Sequence, residues 1–267
     1  MYNRDLLMCR PDHFRIAYSI NPYMHPDGTQ PDPAVLEREY SGLINAHRAA
    51  GRAVHFLEPD PAYPDMTFTA NQALVRGQRA VLGHLPPERA GEVAQTRAWL
   101  ATHSYEVVDC PYQFSGQGDA LPTGTGAVIK GRGWRSDPHS DAFVADALGY
   151  KVIPVRTTSP EWYDLDLAIG VLRPGLLAVC LDALDADSVA TLRARADLEL
   201  IPVELAEAKR FALNLVSDGT AVTLAPGAPK LAAELRRRGL TVTILPVSQL
   251  LLGGGGIRCT TLALDAH

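Results

Sequence analysis

The 267-residue chain is predicted to be an α/β protein built from five copies of one unit closed into a ring. Three observations carry that prediction. Amphipathic helical stretches alternate with short Val- and Ile-rich runs along the whole chain. A polar residue recurs at near-constant spacing at or just ahead of the next apolar run. Each helix is followed by more than one apolar run, which a purely parallel sheet does not need. Closure into a ring suits such short units because it removes most exposed sheet edges. On helix–strand alternation alone, a doubly wound sheet remains the alternative.

The elements follow in order. Helices are expected over Pro33–Ala50, Pro86–His103, Asp141–Gly149, Asp187–Ala196 and Ala228–Gly239. In the first, Val35, Tyr40, Leu43, Ile44 and His47 fall near one stripe at helical period. The last ends in Arg236-Arg237-Arg238-Gly239, with cations in the final turn and glycine at the stop. Strands are expected over Ala53–Leu57, Glu106–Cys110, Lys151–Val155, Glu199–Val203 and Thr241–Leu245, whose β-branched content suits buried sheet. The N-terminal run to Arg10 is too short in apolar residues for a signal peptide. The segment Pro22–Pro33 is a turn-rich loop placed to act as a lid.

Composition narrows the function classes. At 46% apolar and 21% charged, the chain is neither a disordered tail nor a fibre, and it has ample length for one large core. A net charge of −5 argues against nucleic acid and anionic membrane surfaces as partners. No stretch reaches the 18 apolar residues of a membrane span. Cys9, Cys110, Cys180 and Cys259 lack metal-ligand spacing and a disulfide framework, so a reducing cytoplasm is the expected compartment.

The recurring polar residues are Asp65, Asp119, Asp166, Asn214 and Cys259, separated by 54, 47, 48 and 45 positions. In a closed ring they converge at one end of the axis and surround a thiol with carboxylates and an amide. Gly253–Gly256 lacks the Lys-Ser/Thr of a phosphate loop and reads instead as a backbone turn that brings Cys259 to the axis.

Six stretches carry a resemblance to a known family. They are Tyr18–Met24, Pro64–Asn71, Phe114–Leu121, Gly131–Asp137, Trp162–Asp166 and Gly253–Leu262. Together they resemble the pentein superfamily of guanidino-modifying proteins, especially dimethylarginine dimethylaminohydrolases, arginine dihydrolases and amidinotransferases. The resemblance implies a five-bladed α/β-propeller as a single catalytic domain over residues 1–267, with no cofactor or metal. It implies Cys259 as the nucleophile toward a guanidinium carbon, with Asp65 and Asp166 receiving guanidinium nitrogens. Asn71, Asn21, Asp119 and Arg135 match further substrate-site positions, Arg135 as a grip on a substrate carboxylate. A small arginine-like guanidino compound is the implied partner, and a homo-oligomer stays open.

Two departures bear on the chemistry. Where the family reads Tyr-His-Leu-Asp, this chain has Tyr163-Asp164-Leu165-Asp166, and where it reads Phe-Glu-Gly-x-Gly-Asp, Ser115 replaces the Glu. The cysteine is kept while both proton-transfer partners are gone. A thiolate among carboxylates is disfavoured until a guanidinium cation enters and stabilises them all. Asp164 is the candidate replacement base, and His84 and His139 are the remaining imidazoles on nearby loops. Three outcomes stay open: a hydrolase, a transferase or cyclising enzyme, and a non-catalytic binder of cationic ligands.

Overall fold

The structure, a computed structural model, describes residues 3–265. The outermost residues of the expected 1–267 domain lie outside that range. Strands β1 (Asp5–Cys9) and β2 (Ala53–Leu57) run parallel, in register from Asp5–Ala53 to Cys9–Leu57. β3 (Ala73–Arg76) and β4 (Arg79–Leu82) form an antiparallel hairpin, and β4 continues in parallel to β5 (Glu106–Asp109). The same hairpin-plus-parallel unit recurs in β6 (Ala120–Pro122), β7 (Ala127–Gly131) and β8 (Lys151–Val155). It recurs again in β9 (Ile169–Arg173), β10 (Leu176–Val179) and β11 (Glu199–Pro202), and in β12 (Val216–Ser217), β13 (Ala221–Leu224) and β14 (Thr241–Ile244). The fifth copy is completed across the termini, because β15 (Leu262–Ala263) pairs antiparallel to β1. The result is a mixed α/β architecture of five three-stranded sheets among the described residues.

Each sheet repeats one physical logic. The middle strand is buried on both faces, as in Leu176–Val179, an unbroken apolar run, and Ala127–Gly131, where only Lys130, buried and paired with Asp141, interrupts the apolar and small residues. The outer parallel strand is half-exposed, as in Thr241–Ile244. Within each unit a helix carries the chain from the middle strand to the outer parallel strand. The helix Pro33–Ala49 starts where the Asp32 side chain accepts from the backbone N–H groups of Ala34 and Val35, with Pro33 in the first turn. It buries Leu36, Tyr40, Leu43, Ile44 and His47, so Leu36 takes the place expected of Val35 at the first turn. The hairpin of β9 and β10 turns at Pro174-Gly175, where Gly175 holds φ +74°, a conformation glycine adopts without penalty.

The expected helices appear within a few residues of their anticipated bounds. The largest difference lies at Pro86–His103, which opens as a 3₁₀ segment over Pro87–Glu92 before the α-helix Val93–Thr102. The run Leu6–Cys9, too short for a signal peptide, is a fully buried central strand. No helix among the described residues is long and apolar enough to cross a membrane.

The repeat also corrects one register. Asp119, Asp166, Asn214 and Cys259 each stand one to three residues before the first strand of a sheet. Asp65 does not: it sits on the 3₁₀ turn Pro64–Thr67, eight residues before β3. The equivalent position in that unit is Asn71, 48 residues before Asp119.

Candidate active site

Short turns ahead of the first strands aim the polar residues at one another. Cys259 follows the glycine run Gly253–Gly256, and that run is obligatory for two steric reasons. Gly254 holds φ +82°, and a Cβ on Gly256 would stand 2.8 Å from Oδ1 of Asn214. The expected role of these glycines as a close-approach turn is what the structure places here.

The sulfur is buried and has two side-chain partners. Nδ2 of Asn214 donates to Sγ at 3.0 Å, and the thiol lies 3.3 Å from Oδ2 of Asp166, to which it donates. The other end of the Asn214 amide is fixed, since its Oδ1 accepts from the backbone N–H of Arg258 at 2.9 Å and of Cys259 at 3.3 Å. Burial pushes the Cys259 thiol well above its ordinary value, and the Asp166 and Asp164 carboxylates add to that. Asp166 is likewise raised by burial and by Asp164, against the opposing pull of Arg258. Both shifts run against ionisation, so a doubly anionic Cys259–Asp166 pair is disfavoured.

A second cluster abuts the first. Asp164 accepts from Nδ2 of Asn71 at 2.7 Å on one oxygen and from Oγ of Ser115 at 2.8 Å on the other. Asn71 also donates to Oγ of Ser115 at 2.8 Å. Asp119 is turned to the backbone, where its Oδ1 accepts from the N–H of Leu165 at 3.0 Å. Burial and the neighbouring Asp164 charge raise Asp119 to about 7. It thus fixes the Trp162–Asp166 segment rather than touching the sulfur.

Asp65 is buried, and its Oδ1 has no hydrogen-bond partner among the described residues; Oδ1 of Asp166 is in the same condition. Two orphaned carboxylate oxygens in one site are an uncommon cost in a folded protein and mark a place that awaits donors. Burial raises Asp65, opposed by Arg89, by the neighbouring Tyr18 hydroxyl and by Arg135. Arg135 stacks its guanidinium 4.7 Å above the Tyr163 ring and donates from Nη2 to the Ile20 carbonyl, leaving Nη1 without a partner. Tyr163 in turn donates to the Gly254 carbonyl at 2.8 Å, which ties Arg135 to the cysteine turn.

Other expected residues lie elsewhere or act on the backbone. Asn21 spends its amide on the Gly253 carbonyl and the Tyr23 N–H, stitching the Asn21–Met24 turn to the glycine run. His84 is exposed with Nδ1 at the Cys110 carbonyl, and His139 is exposed and paired with Asp137 at 2.7 Å. Neither imidazole is a hydrogen-bond partner of the sulfur, and both are exposed side chains rather than the alternative bases they were considered as. Cys9, Cys110 and Cys180 are buried free thiols.

Sequence reasoning missed Arg89 and Glu92. Arg89 is buried in a bidentate pair with Glu92, with contacts of 2.7 to 3.1 Å. It also donates to Oδ1 of Asn71 at 2.8 Å and to the carbonyls of Asp65 and Phe68 at 3.2 Å. One guanidinium thus fixes both the Asp65 turn and the amide that grips Asp164.

Comparison with known proteins adds to this geometry. Residues 11–265 match the family model described as N,N dimethylarginine dimethylhydrolase, eukaryotic. The chain is 35% identical to an N(G),N(G)-dimethylarginine dimethylaminohydrolase of Mycobacterium tuberculosis, covering 98% of this chain and 86% of that protein. It is 31% identical to the bifunctional arginine dihydrolase/ornithine cyclodeaminase ArgZ of Synechocystis, covering 96% of this chain but 37% of that longer protein. The crystal structure of an ArgZ N-terminal domain variant covalently bound to a reaction intermediate superposes with a TM-score of 0.93 at 29% identity, covering 98% and 97% of the two chains.

Proposed function

Because the chain belongs to the N,N dimethylarginine dimethylhydrolase family, we propose that it is a cysteine-dependent hydrolase of a small arginine-like guanidino compound. We further propose that the five sheets stand around one axis as a five-bladed α/β-propeller forming a single domain. The β15–β1 pairing supports closure of that ring, and the meeting of residues from different sheets supports a shared axis. The observation that carries the functional reading is the Cys259 thiol held between Asn214 and Asp166, beside carboxylates that keep unpartnered oxygens.

In this reading a guanidinium ion supplies the missing donors to Asp65 and Asp166, and Nη1 of Arg135 takes the substrate carboxylate. The added positive charge favours the thiolate, so substrate binding itself ionises the nucleophile. The thiol proton passes to Asp166, the carboxylate in contact with sulfur. Sulfur bonds to the guanidinium carbon, the C–N bond to the departing amine breaks, and the Asp166 proton goes to that nitrogen. Water then adds to the amidino-thioether, giving up a proton to Asp166. The C–S bond breaks to leave a ureido product, and the proton returns to sulfur. Asp164 assists from its place on Asn71 and Ser115, where its charge strengthens the hold of Asp166 on the shuttled proton. Carboxylate shuttling in place of imidazole preserves general acid–base help, typically worth about 10²–10⁴-fold.

The test is covalent capture. Incubation with 2-chloroacetamidine, an amidine electrophile, followed by peptide mass analysis should place one adduct on Cys259 and none in Cys259→Ser. Arginine and dimethylarginine should yield citrulline. Absence of both adduct and product from folded protein would remove the hydrolase reading. A rearranged or transferred product would redirect it to the amidinotransferase or cyclising alternative. Tight binding of a guanidino compound without turnover would leave a non-catalytic binder.

A further inference from the structure

The carboxylate at position 164 does more than stand in for a lost imidazole. It is buried, and the loop Phe114–Ala120 and the 3₁₀ turn Thr69–Gln72 lock it from two sides through Ser115 and Asn71. Each oxygen accepts one of those donors and retains a second lone pair. It stands two residues before Asp166, which accepts from the thiol, and its charge raises Cys259, Asp166 and Tyr163 alike. Behind it Asn71 is held by Arg89, and Arg89 by Glu92, so the acceptor is rigid rather than free to swing aside. The carboxylates of the site that keep accepting capacity are therefore Asp65 through Oδ1, Asp166 beside the sulfur, and Asp164, and among the described residues no histidine is a hydrogen-bond partner of the sulfur.

An N-monosubstituted guanidinium carries five N–H donors, whereas an asymmetrically dimethylated one has lost two from a single nitrogen. Three carboxylates can be satisfied by the first. The second leaves one of them buried against methyl groups, and an unpaired buried charge is among the costliest defects a binding site can hold. A site built to accept hydrogen bonds rejects analogues that lack the donor far more strongly than an apolar pocket rejects an extra methyl group.

We propose that Asp164 is a specificity-determining third acceptor for guanidinium N–H groups, and that it selects guanidino compounds whose terminal nitrogens carry no alkyl substituents. This rests on the guanidino reading above and adds which guanidino compounds are taken. The measurement is kcat/KM, or affinity by calorimetry where turnover is slow, for L-arginine against asymmetric dimethyl-L-arginine. The wild-type protein is expected to favour arginine by about a hundredfold or more. Asp164→Asn places an amide where the carboxylate stood and should bring the ratio below about tenfold, because both compounds lose the help Asp164 gives Asp166 while arginine alone also loses a hydrogen-bond acceptor. A general loss of packing would lower both values together and leave the ratio in place. Comparable use of the two compounds by the wild-type protein overturns the proposal without any variant, and so does an unchanged ratio in Asp164→Asn. If neither compound binds while 2-chloroacetamidine still labels Cys259, the arginine-like substrate falls and the selectivity with it. If labelling fails too, the guanidino reading itself has failed.

Discussion

Replacing Arg89 with Met separates the scaffolding of the site from its chemistry. Arg89 is not a hydrogen-bond partner of the sulfur, yet all three nitrogens of its guanidinium donate inside the protein: to Glu92, to the Asn71 amide and to the carbonyls of Asp65 and Phe68. Met fills similar volume but supplies no donor, so Glu92, fully buried, is left without its counter-charge. Breaking one side of a buried pair costs about 3–5 kcal/mol. The orphaned Asn71 oxygen and two carbonyls lie near chain that can relax, so a total of about 5 kcal/mol at pH 7 is expected, equivalent to roughly 10–20 °C in melting temperature for a chain of this size. The loss must also depend on pH. Glu92 is already raised to about 7 by burial despite Arg89, and removing that cation raises it further. A carboxyl whose folded value is raised contributes stability below its unfolded value near 4.5, and that contribution is lost as pH climbs toward the folded value. The deficit of Arg89→Met should therefore be smaller at pH 5 than at pH 7, and Arg89→Met/Glu92→Met should recover about 3 kcal/mol of it. Urea midpoints at the two pH values for wild type, single and double variants provide the assay. A deficit under about 1 kcal/mol, one that does not grow between pH 5 and 7, or a double variant weaker than the single would refute the reasoning.

Gly256→Ala is expected to slow labelling of Cys259 by 2-chloroacetamidine about tenfold, because its Cβ displaces the Asn214 amide that donates to the sulfur. Mass-analysed time courses check this, and an unchanged rate would show that Asn214 does not set the reactivity of the thiol. Acid lability is expected from His47, which burial and the adjacent Arg52 push down from 6.5 to about 3. The folded protein keeps it neutral while the unfolded chain protonates it, so its contribution is whole above pH 6.5 and is lost toward pH 3, with a slope approaching 1.4 kcal/mol per pH unit. His47→Gln retains an acceptor for Arg52 and should flatten that part of the urea-midpoint curve between pH 6.5 and 4; a curve parallel to wild type would count against it.

The parts of the fold legible in the sequence are those governed by local period. The helices and outer strands show their faces directly, and the spacing of Asp119, Asp166, Asn214 and Cys259 recovers the repeat because each begins a sheet. Asp65 misled because it also precedes an apolar run, although a second 3₁₀ turn, Thr69–Gln72, intervenes and hands the equivalent position to Asn71. Arg89 and Glu92 were illegible for a different reason. An oppositely charged pair three residues apart at a helix start is the ordinary pattern of a solvated surface. Only the packing of the 3₁₀ segment Pro87–Glu92 against the Asp65 turn buries it. The separation of two carboxylates was hidden in the same way: Asp164 and Asp166 are two residues apart, and only the intervening turn at Leu165 sends one to Asn71 and Ser115 and the other to the sulfur.

That division of labour between two nearby carboxylates follows from charge. Arg89 is committed to Glu92, and Arg258 is held by Gln117 and the Thr261 carbonyl, so neither is free to settle on Asp166 when the site is empty. Asp164 has two neutral donors and no cation in hydrogen-bond contact, so its charge is expressed outward on Asp166 and Cys259 instead of being cancelled. If Arg89 reached Asp164 directly, their charges would offset and the part of the Cys259 and Asp166 shifts that Asp164 supplies would fall, leaving burial as the larger cause. By binding through Asn71, Arg89 fixes the position of Asp164 and leaves its charge to disfavour the thiolate, which in the function proposed above is what an incoming guanidinium offsets.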